Sequence, residues 1–301
     1  MRILLLGANG QVGWELQRSL TTIGSVNACD RTKADLEKLD VLTALLDDYQ
    51  PDVIVNAAAY TAVDKAETDK DAAYTINSKA VDLIASKAKQ FDAILVHYST
   101  DYVFDGTQEG FYTESDQVNP QSVYGKSKLQ GEQAIIKSGC KHLIFRTSWV
   151  YAARGLNFAK TIMRLANERD ELKIVSDQFG VPTSAEFIAD VTSICLHHII
   201  NNKWDADKYT GIYNLVPSGK TNWHSFARFV ICKALKEGFT SRFSPDNIKA
   251  INSSEYPVAA KRPANSLLDT NKIQKTFGIY IPVWQTHVDR LVQELKHRGW
   301  E

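Results

Sequence analysis

Tyr124 and Lys128, four residues apart, are the pair in this chain best suited to acid–base chemistry. They sit in the run Asn119-Pro120-Gln121-Ser122-Val123-Tyr124-Gly125-Lys126-Ser127-Lys128. The pattern predicts a helix over 124–136, and residues four apart on a helix share a face. A phenol ionises near pH ~10 in water. A neighbouring ammonium favours the phenolate, so such a tyrosine can exchange a proton with a carbonyl or alcohol near neutral pH. The spacing alone also describes an ordinary surface pair. Its setting gives it weight. The string Tyr98-Ser99-Thr100-Asp101-Tyr102 ends an apolar run that predicts a strand over 94–98. Ligands of open parallel sheets bind at the carboxyl ends of strands. A hydroxyl there, Thr100, can hydrogen-bond a reacting oxygen; a plain strand-end turn is the alternative.

A third element is the glycine loop Gly7-Ala8-Asn9-Gly10-Gln11-Val12-Gly13, between an apolar run at 3–6 and a helical pattern at 12–20. Glycines let backbone N–H groups approach a pyrophosphate, and the helix N-terminus adds a favourable dipole. A weaker strand pattern at 26–29 ends at Asp30-Arg31. An acid there holds ribose hydroxyls and favours NADH, whereas a following arginine accepts the 2′-phosphate of NADPH. The chain carries both, so the choice stays open.

The elements that must position these residues follow from the hydrophobic pattern. Apolar runs at 3–6, 26–29, 52–56, 94–98 and 142–146 alternate with helical patterns at 12–20, 41–49, about 66–90 and 124–136. Fully apolar strands alternating with helices predict a parallel sheet covered on both faces. After about residue 149 the pattern changes. Helices are expected at 156–168, 186–200, 223–236 and 284–296, a strand at 211–216 and a loop-rich segment at 241–266. The expected fold class is α/β: a Rossmann-type doubly wound parallel sheet with a smaller α+β C-terminal substrate lobe. The expected division is 1–150 for the NAD(P)-binding domain and 151–301 mainly for the substrate lobe. The helix near 186–200 is expected to pack on the first domain.

The 301 residues include 35 Lys plus Arg and 35 Asp plus Glu, a net charge of zero. Such a chain has no bulk attraction for nucleic acid or anionic membrane. None of the four cysteines has metal-ligand or redox-motif spacing. The first residues are too short an apolar run for a signal peptide, and no run reaches the length of a membrane span. A cytoplasmic enzyme with neither nucleic acid nor membrane as partner is expected.

Together these residues resemble the extended short-chain dehydrogenase/reductase superfamily and, within it, the dTDP-4-dehydrorhamnose reductases. The stretches that carry the resemblance are GANGQVGWELQ (7–17), PDVIVNAAAYTAVDKAE (51–67), VHYSTDYVFDG (96–106), YGKSKLQGE (124–132), FRTSWVYA (145–152), DQFGVPTSAEFIAD (177–190) and RPANSLLD (262–269). They span nearly the whole chain. The resemblance implies a reductase of the C4 ketone of a dTDP-4-dehydro sugar, with NADPH or NADH as cofactor. Gly7, Gly10, Gln11 and Val12 would meet the pyrophosphate. Asp30, Asp35 and Leu36 would border the adenosine, and Ala59, Tyr60, Thr61 and Tyr98 would line the cofactor. Tyr124 would donate the proton, with Lys128 its partner on the nicotinamide ribose and Thr100 tuning it. Val63, Thr100, Asp101, Tyr102 and Trp149 would hold the substrate.

Related dehydratases resemble Thr-Asp-Glu where this chain has Thr100-Asp101-Tyr102, which favours reduction over dehydration. Some members hold a homodimer through Mg²⁺ on carboxylates, and the matching positions are Glu15, Glu186 and Glu294. Oxygen ligands suit Mg²⁺; three exposed helix-surface glutamates are the alternative. Lys261 and Arg262 are candidates for the sugar-nucleotide diphosphate. Two other activities compete: a reductase of another dTDP-4-keto-6-deoxysugar, including one giving the C4 epimer, and a non-catalytic NADP-binding regulatory subunit like that of methionine adenosyltransferase.

Overall fold

The apolar run at residues 3–6 lies at the centre of the fold because its side chains are buried alternately on the two faces of a sheet. The computed structural model describes residues 1–202 and 205–300. Among these, the main sheet comprises β1 (Arg2–Leu6), β2 (Ser25–Cys29), β3 (Val53–Asn56), β4 (Ile94–Thr100), β5 (Lys141–Thr147) and β6 (Gly211–Asn214). Every pairing is parallel, in the order β6-β5-β4-β3-β1-β2. The strand order reverses between β1 and β3, and ligands bind at such a reversal, outside the carboxyl ends.

The longer helices are α1 (Gln11–Leu20), α2 (Leu39–Tyr49), α3 (Ala80–Gln90), α4 (Val123–Ser138), α5 (Phe158–Glu168), α6 (Ala185–Asn201), α7 (Trp223–Lys236), α8 (Asn271–Phe277) and α9 (Trp284–His297). Ile3, Leu5, Val55 and Phe145 face a core shared with α1, α6 and α8. Leu4, Leu6, Ile54 and Ile144 face a second core shared with α2, α3 and α4. Burying one such leucine or isoleucine is worth roughly 1.5–3 kcal/mol. A third core joins α5, α7 and α9 around Ile162, Phe226, Val230 and Leu291. Helix α6 and strand β6 both come from beyond residue 150 and pack into the main sheet unit.

Two segments differ from expectation. The helix expected over about 66–90 is interrupted. A single turn, Val63–Ala66, precedes Lys70–Tyr74, which passes through a π-helical segment, Thr75–Lys79, into α3. Single π turns inside helices recur at functional sites. Here the π turn lets α4 pack closely, since a Cβ on Gly131 would collide with the Asn77 carbonyl. The loop-rich segment contains a strand, Ile248–Ile251, paired in parallel with Leu172–Val175. Four residues with two exposed are too short to stand out from a loop pattern. Among the described residues no helix is long and apolar enough to cross a membrane.

Candidate active site

Helix α4 begins where Ser122 accepts a hydrogen bond from Gly125 N–H at 3.1 Å, a cap worth about 1 kcal/mol. Glu67 Oε1 also accepts from Val123 N–H at 2.8 Å. Gly125 is a glycine because any Cβ would strike the Tyr102 carbonyl. That close approach brings Tyr124 beside the carboxyl end of β4. The Tyr102 ring stands edge-on to Tyr124, centroids 5.5 Å apart. Thr100, at the end of β4, lies beside the Tyr124 phenol. Burial pushes that phenol up to about 12, with the Thr100 hydroxyl acting the other way. Thr100 Oγ1 also donates to Asp101 Oδ1 at 3.0 Å. Burial raises Asp101 to about 6 against the Ser266 and Thr100 hydroxyls, which favour the carboxylate.

Lys128 is fully buried one turn further along α4. Its Nζ donates to the Tyr98 carbonyl at 2.6 Å and lies 3.2 Å from His97 Nε2. The lysine therefore turns toward β4. Burial brings it down to about 8, although Glu132 favours its charge. Glu132 is in turn gripped by Arg146 through Nε at 3.0 Å and Nη2 at 2.7 Å. The Tyr98 side chain points into the core, where its hydroxyl meets Thr192 Oγ1 at 2.8 Å. Only its carbonyl serves the site.

The glycine loop connects β1 to α1 as expected. Gly7 has φ +82°, a conformation that suits glycine, and a Cβ there would lie 2.7 Å from Ala58 N. Gly10 caps α1 without a side-chain bond, which leaves the first N–H groups of the helix, those of Gln11 and Val12, for a ligand. Asp30 follows β2. Its Oδ1 accepts from Thr32 N–H at 3.0 Å, and its Oδ2 from Asn9 Nδ2 at 2.8 Å. The Thr32 hydroxyl favours its carboxylate and lowers its pKa. Arg31 is committed to Asp35 and Glu37. Leu36 is buried in the core beside α2. After β3, Ala59 and Tyr60 are half-buried and Thr61 is exposed. Asn77 clasps the Tyr60 backbone, accepting from its N–H at 2.9 Å and donating to its carbonyl at 3.1 Å. Asn77 Nδ2 also donates to Ser127 Oγ at 3.0 Å, which ties this loop to α4. An open phosphate-binding N-terminus and an oriented, ionised acid at the end of β2 fit a dinucleotide.

Of the remaining substrate candidates, Val63 starts the single turn after β3. Trp149 holds φ +49°, rare for a bulky residue, and stacks on Trp223 with ring centroids 3.6 Å apart. Arg262 Nη2 pairs with Asp64 Oδ2 at 2.7 Å, and Lys261 Nζ reaches Gln121 Oε1 at 3.4 Å. Asn56, Asn77, His97, Asp64 and Ser266 also surround these residues and lie in no recognisable catalytic motif. The available signal was a polar residue closing an apolar run in DVIVN and interrupting one in LVHYS.

Glu15, Glu186 and Glu294 line one cleft of about 380 Å³ with Trp14, Arg18 and Arg290. None of these residues belongs to the Tyr124 site. The expectation of Mg²⁺ is not met within the chain. Among the described residues no group of three carboxylate, histidine or cysteine side chains could hold a metal ion. Arginines occupy the carboxylates instead. Arg290 donates to Glu186 through Nε at 2.8 Å and Nη2 at 2.8 Å, and Arg298 pairs with Glu294 at 2.5 Å.

The family described as RmlD substrate binding domain matches residues 1–297. The dTDP-4-dehydrorhamnose reductase of Burkholderia thailandensis is 46% identical over 295 residues, 98% of this chain and 99% of that protein. That of Salmonella typhimurium is 46% identical over 299 residues, 98% of each chain. Among solved structures, the reductase from Clostridium acetobutylicum superposes with TM-score 0.88 at 34% identity, over 98% of this chain and all of that one. The Bacillus anthracis reductase, in complex with NADP, gives TM-score 0.86 at 31% identity, over 97% of this chain and 99% of that one.

Proposed function

The chain belongs to the dTDP-4-dehydrorhamnose reductase family, and from that premise we propose how its residues divide the reaction. It is an NAD(P)H-dependent oxidoreductase that reduces dTDP-4-dehydrorhamnose to dTDP-rhamnose. Bound NAD(P)H supplies a hydride to the C4 carbonyl carbon of the sugar. Gly7, Gly10, Gln11 and Val12 receive the pyrophosphate, Asp30 the adenosine ribose, and the backbone at 59–61 the length of the dinucleotide. The observation that carries this assignment is the placement of Tyr124 and Lys128 one turn apart on α4, beside Thr100 at the carboxyl end of β4. Tyr124, a phenol at neutral pH and held so more firmly by burial, gives its proton to the oxygen developing at C4. Thr100, by turning its one hydroxyl proton from Asp101 to that oxygen, would hold it in line with the phenol. Lys128 stands where a positive charge would stabilise the phenolate left behind. Asp101, Tyr102, Val63 and Trp149 border the sugar. Arg262, beside Tyr102, is the cation proposed for the diphosphate, once released from Asp64.

The finer parts of this reading are the L-rhamno configuration of the product, a cytoplasmic location and use of the product in bacterial surface polysaccharide. The test is oxidation of NADPH on addition of dTDP-4-dehydro-L-rhamnose, with the product identified by NMR. Formation of the C4 epimer would replace the stereochemical assignment. No oxidation with any dTDP-ketosugar, together with tight binding to a partner enzyme, would replace the catalytic reading with a regulatory one.

A further inference from the structure

Arg31 directly follows Asp30, the acid at the end of β2, and its guanidinium is held by two carboxylates of the same turn. The turn is well anchored. Asp30 Oδ2 accepts from Asn9 Nδ2 of the glycine loop at 2.8 Å. The Asp30 carbonyl accepts from Lys33 and Ala34 N–H at 3.2 and 2.9 Å. Ala34 and Leu36 are buried, which leaves the carboxylates of Asp35 and Glu37 on the outer side, where Arg31 lies. Arg31 Nε donates to Asp35 Oδ2 at 3.4 Å, and Nη2 donates to Glu37 Oε2. Asp35 is fixed in turn, because its Oδ1 accepts from Glu37 N–H at 3.1 Å.

A guanidinium grips a phosphate through two parallel N–H groups, and Nε with Nη2 is one such edge. Here that edge is divided between two carboxylates. NADPH differs from NADH only by a phosphate on the 2′ oxygen of the adenosine ribose. With the ribose at Asp30, that phosphate arrives beside Arg31 and faces Asp30, Asp35 and Glu37. Asp30 stays a carboxylate there, since Oδ1 accepts from Thr32 N–H at 3.0 Å and from the Thr32 hydroxyl at 2.6 Å. NADH can bind with Arg31 where it is; NADPH needs its guanidinium. We propose that Glu37 sets the preference between NADPH and NADH by competing with the 2′-phosphate for Arg31. Glu37 is the partner that can yield. Its side chain is 36% exposed against 19% for Asp35, and the Asp35 carboxylate is also held by the turn. Arg31 itself is 73% exposed, and an ion pair this open to water is weak enough for a dianion to displace.

This inference rests on the reading of the chain as an NAD(P)H-dependent enzyme with the ribose at Asp30; its test measures dinucleotide binding and needs no sugar substrate. NADPH and NADH are each titrated by fluorescence against the native protein, Glu37→Gln, Arg31→Ala and the double variant. All the altered side chains are exposed, so the variants keep the native fold. The ratio of the NADH Kd to the NADPH Kd is expected to rise about threefold to tenfold in Glu37→Gln, the size of a released surface ion pair and one removed negative charge. In Arg31→Ala the ratio should fall below the native value. Adding Glu37→Gln to Arg31→Ala should then change it by less than about twofold, because Glu37 acts through Arg31. An unchanged ratio in Glu37→Gln overturns the proposal. So does an equal rise with Arg31 absent, which would make Glu37 only a nearby negative charge. A native ratio in Arg31→Ala also overturns it and moves the phosphate to Lys33, the neighbouring cation of the turn. Failure of the native chain to bind either dinucleotide would overturn the cofactor reading, and this inference with it.

Discussion

Tyr124, Lys128 and Asp101 meet at the carboxyl end of β4, and Glu15, Glu186 and Glu294 meet in the cleft between α1, α6 and α9, but the two clusters are held in opposite ways. In the first, burial pushes Tyr124 to about 12, Asp101 to about 6 and Lys128 to about 8, each toward its neutral form. In the second, arginines stand against the carboxylates: Arg18 near Glu15, Arg290 on Glu186 and Arg298 on Glu294. Glu15 shifts upward, through burial and then Glu186, with Arg18 opposing. Burial brings Asp101 and Lys128 toward the range in which protons exchange near neutral pH, and holds Tyr124 in its acid form. An arginine beside a carboxylate favours its charged form. Three titratable residues in one place are therefore not yet a catalytic site.

The strongest way to break this contrast is to remove the proton donor. Tyr124→Phe should lower kcat by about 10²–10⁴-fold, the usual contribution of a positioned acid. Its affinity for NADPH, read by fluorescence titration, should change little. Near-normal turnover would remove Tyr124 from the chemistry. The buried pair beneath Lys128 comes next. Glu132 and Arg146 are each under 5% exposed, and breaking such a pair costs about 3–5 kcal/mol because one charge is left buried alone. Glu132→Gln should show that loss in urea unfolding at neutral pH. A loss below about 1 kcal/mol would mean that the arginine finds water or another partner.

Asp101 gives a pH-dependent version of the same contrast. Its folded pKa, about 6, lies above the ordinary carboxylate value. The unfolded chain therefore releases this proton first as pH rises, and stability falls between about pH 4 and pH 6. The loss integrates to about 3 kcal/mol and is complete above the folded value. Asp101→Asn carries no such proton. Its stability relative to the native chain should rise by roughly that amount between pH 4 and pH 7. Urea unfolding at the two pH values measures the difference; a difference independent of pH would mean that Asp101 ionises as it does in water.

The sheet and the glycine loop were legible in the sequence because continuous apolar strands and a strand–glycine–helix junction are local patterns. Tyr124 and Lys128 were legible because their spacing lies within a single helix. The residues that hold them were not. His97 reaches Lys128 across 31 positions and Asn56 across 41, and a polar residue in an apolar run reads simply as the end of a strand. Asn77 acts through a π turn that a smooth helical period conceals. The part Tyr98 plays was hidden for a related reason: alternation along β4 sends its ring to the core and its carbonyl to Lys128. The glutamates were legible as candidates for one site, but Arg290 stands 104 positions from Glu186, so nothing local shows that the carboxylate is already occupied.

The smallest expected effect tests that occupation. Side chains of the Arg290–Glu186 pair are 64% and 26% exposed, and such pairs contribute up to ~1 kcal/mol. Arg290→Ala should therefore cost little stability and leave kcat unchanged, since no residue of the cleft touches Tyr124, Thr100 or Lys128. It should still change the electrostatics of the cleft. Freed of its guanidinium, Glu186 would face Glu15 and Glu294 with one less cation among them, and oxygen donors of that kind suit Mg²⁺. Added Mg²⁺ is then expected to raise the Tm of Arg290→Ala more than that of the native chain. An equal rise in both proteins would mean that the arginine does not compete with a cation there. The cleft would then belong with sites that bind charge, and the contrast with the Tyr124 site would rest on burial alone.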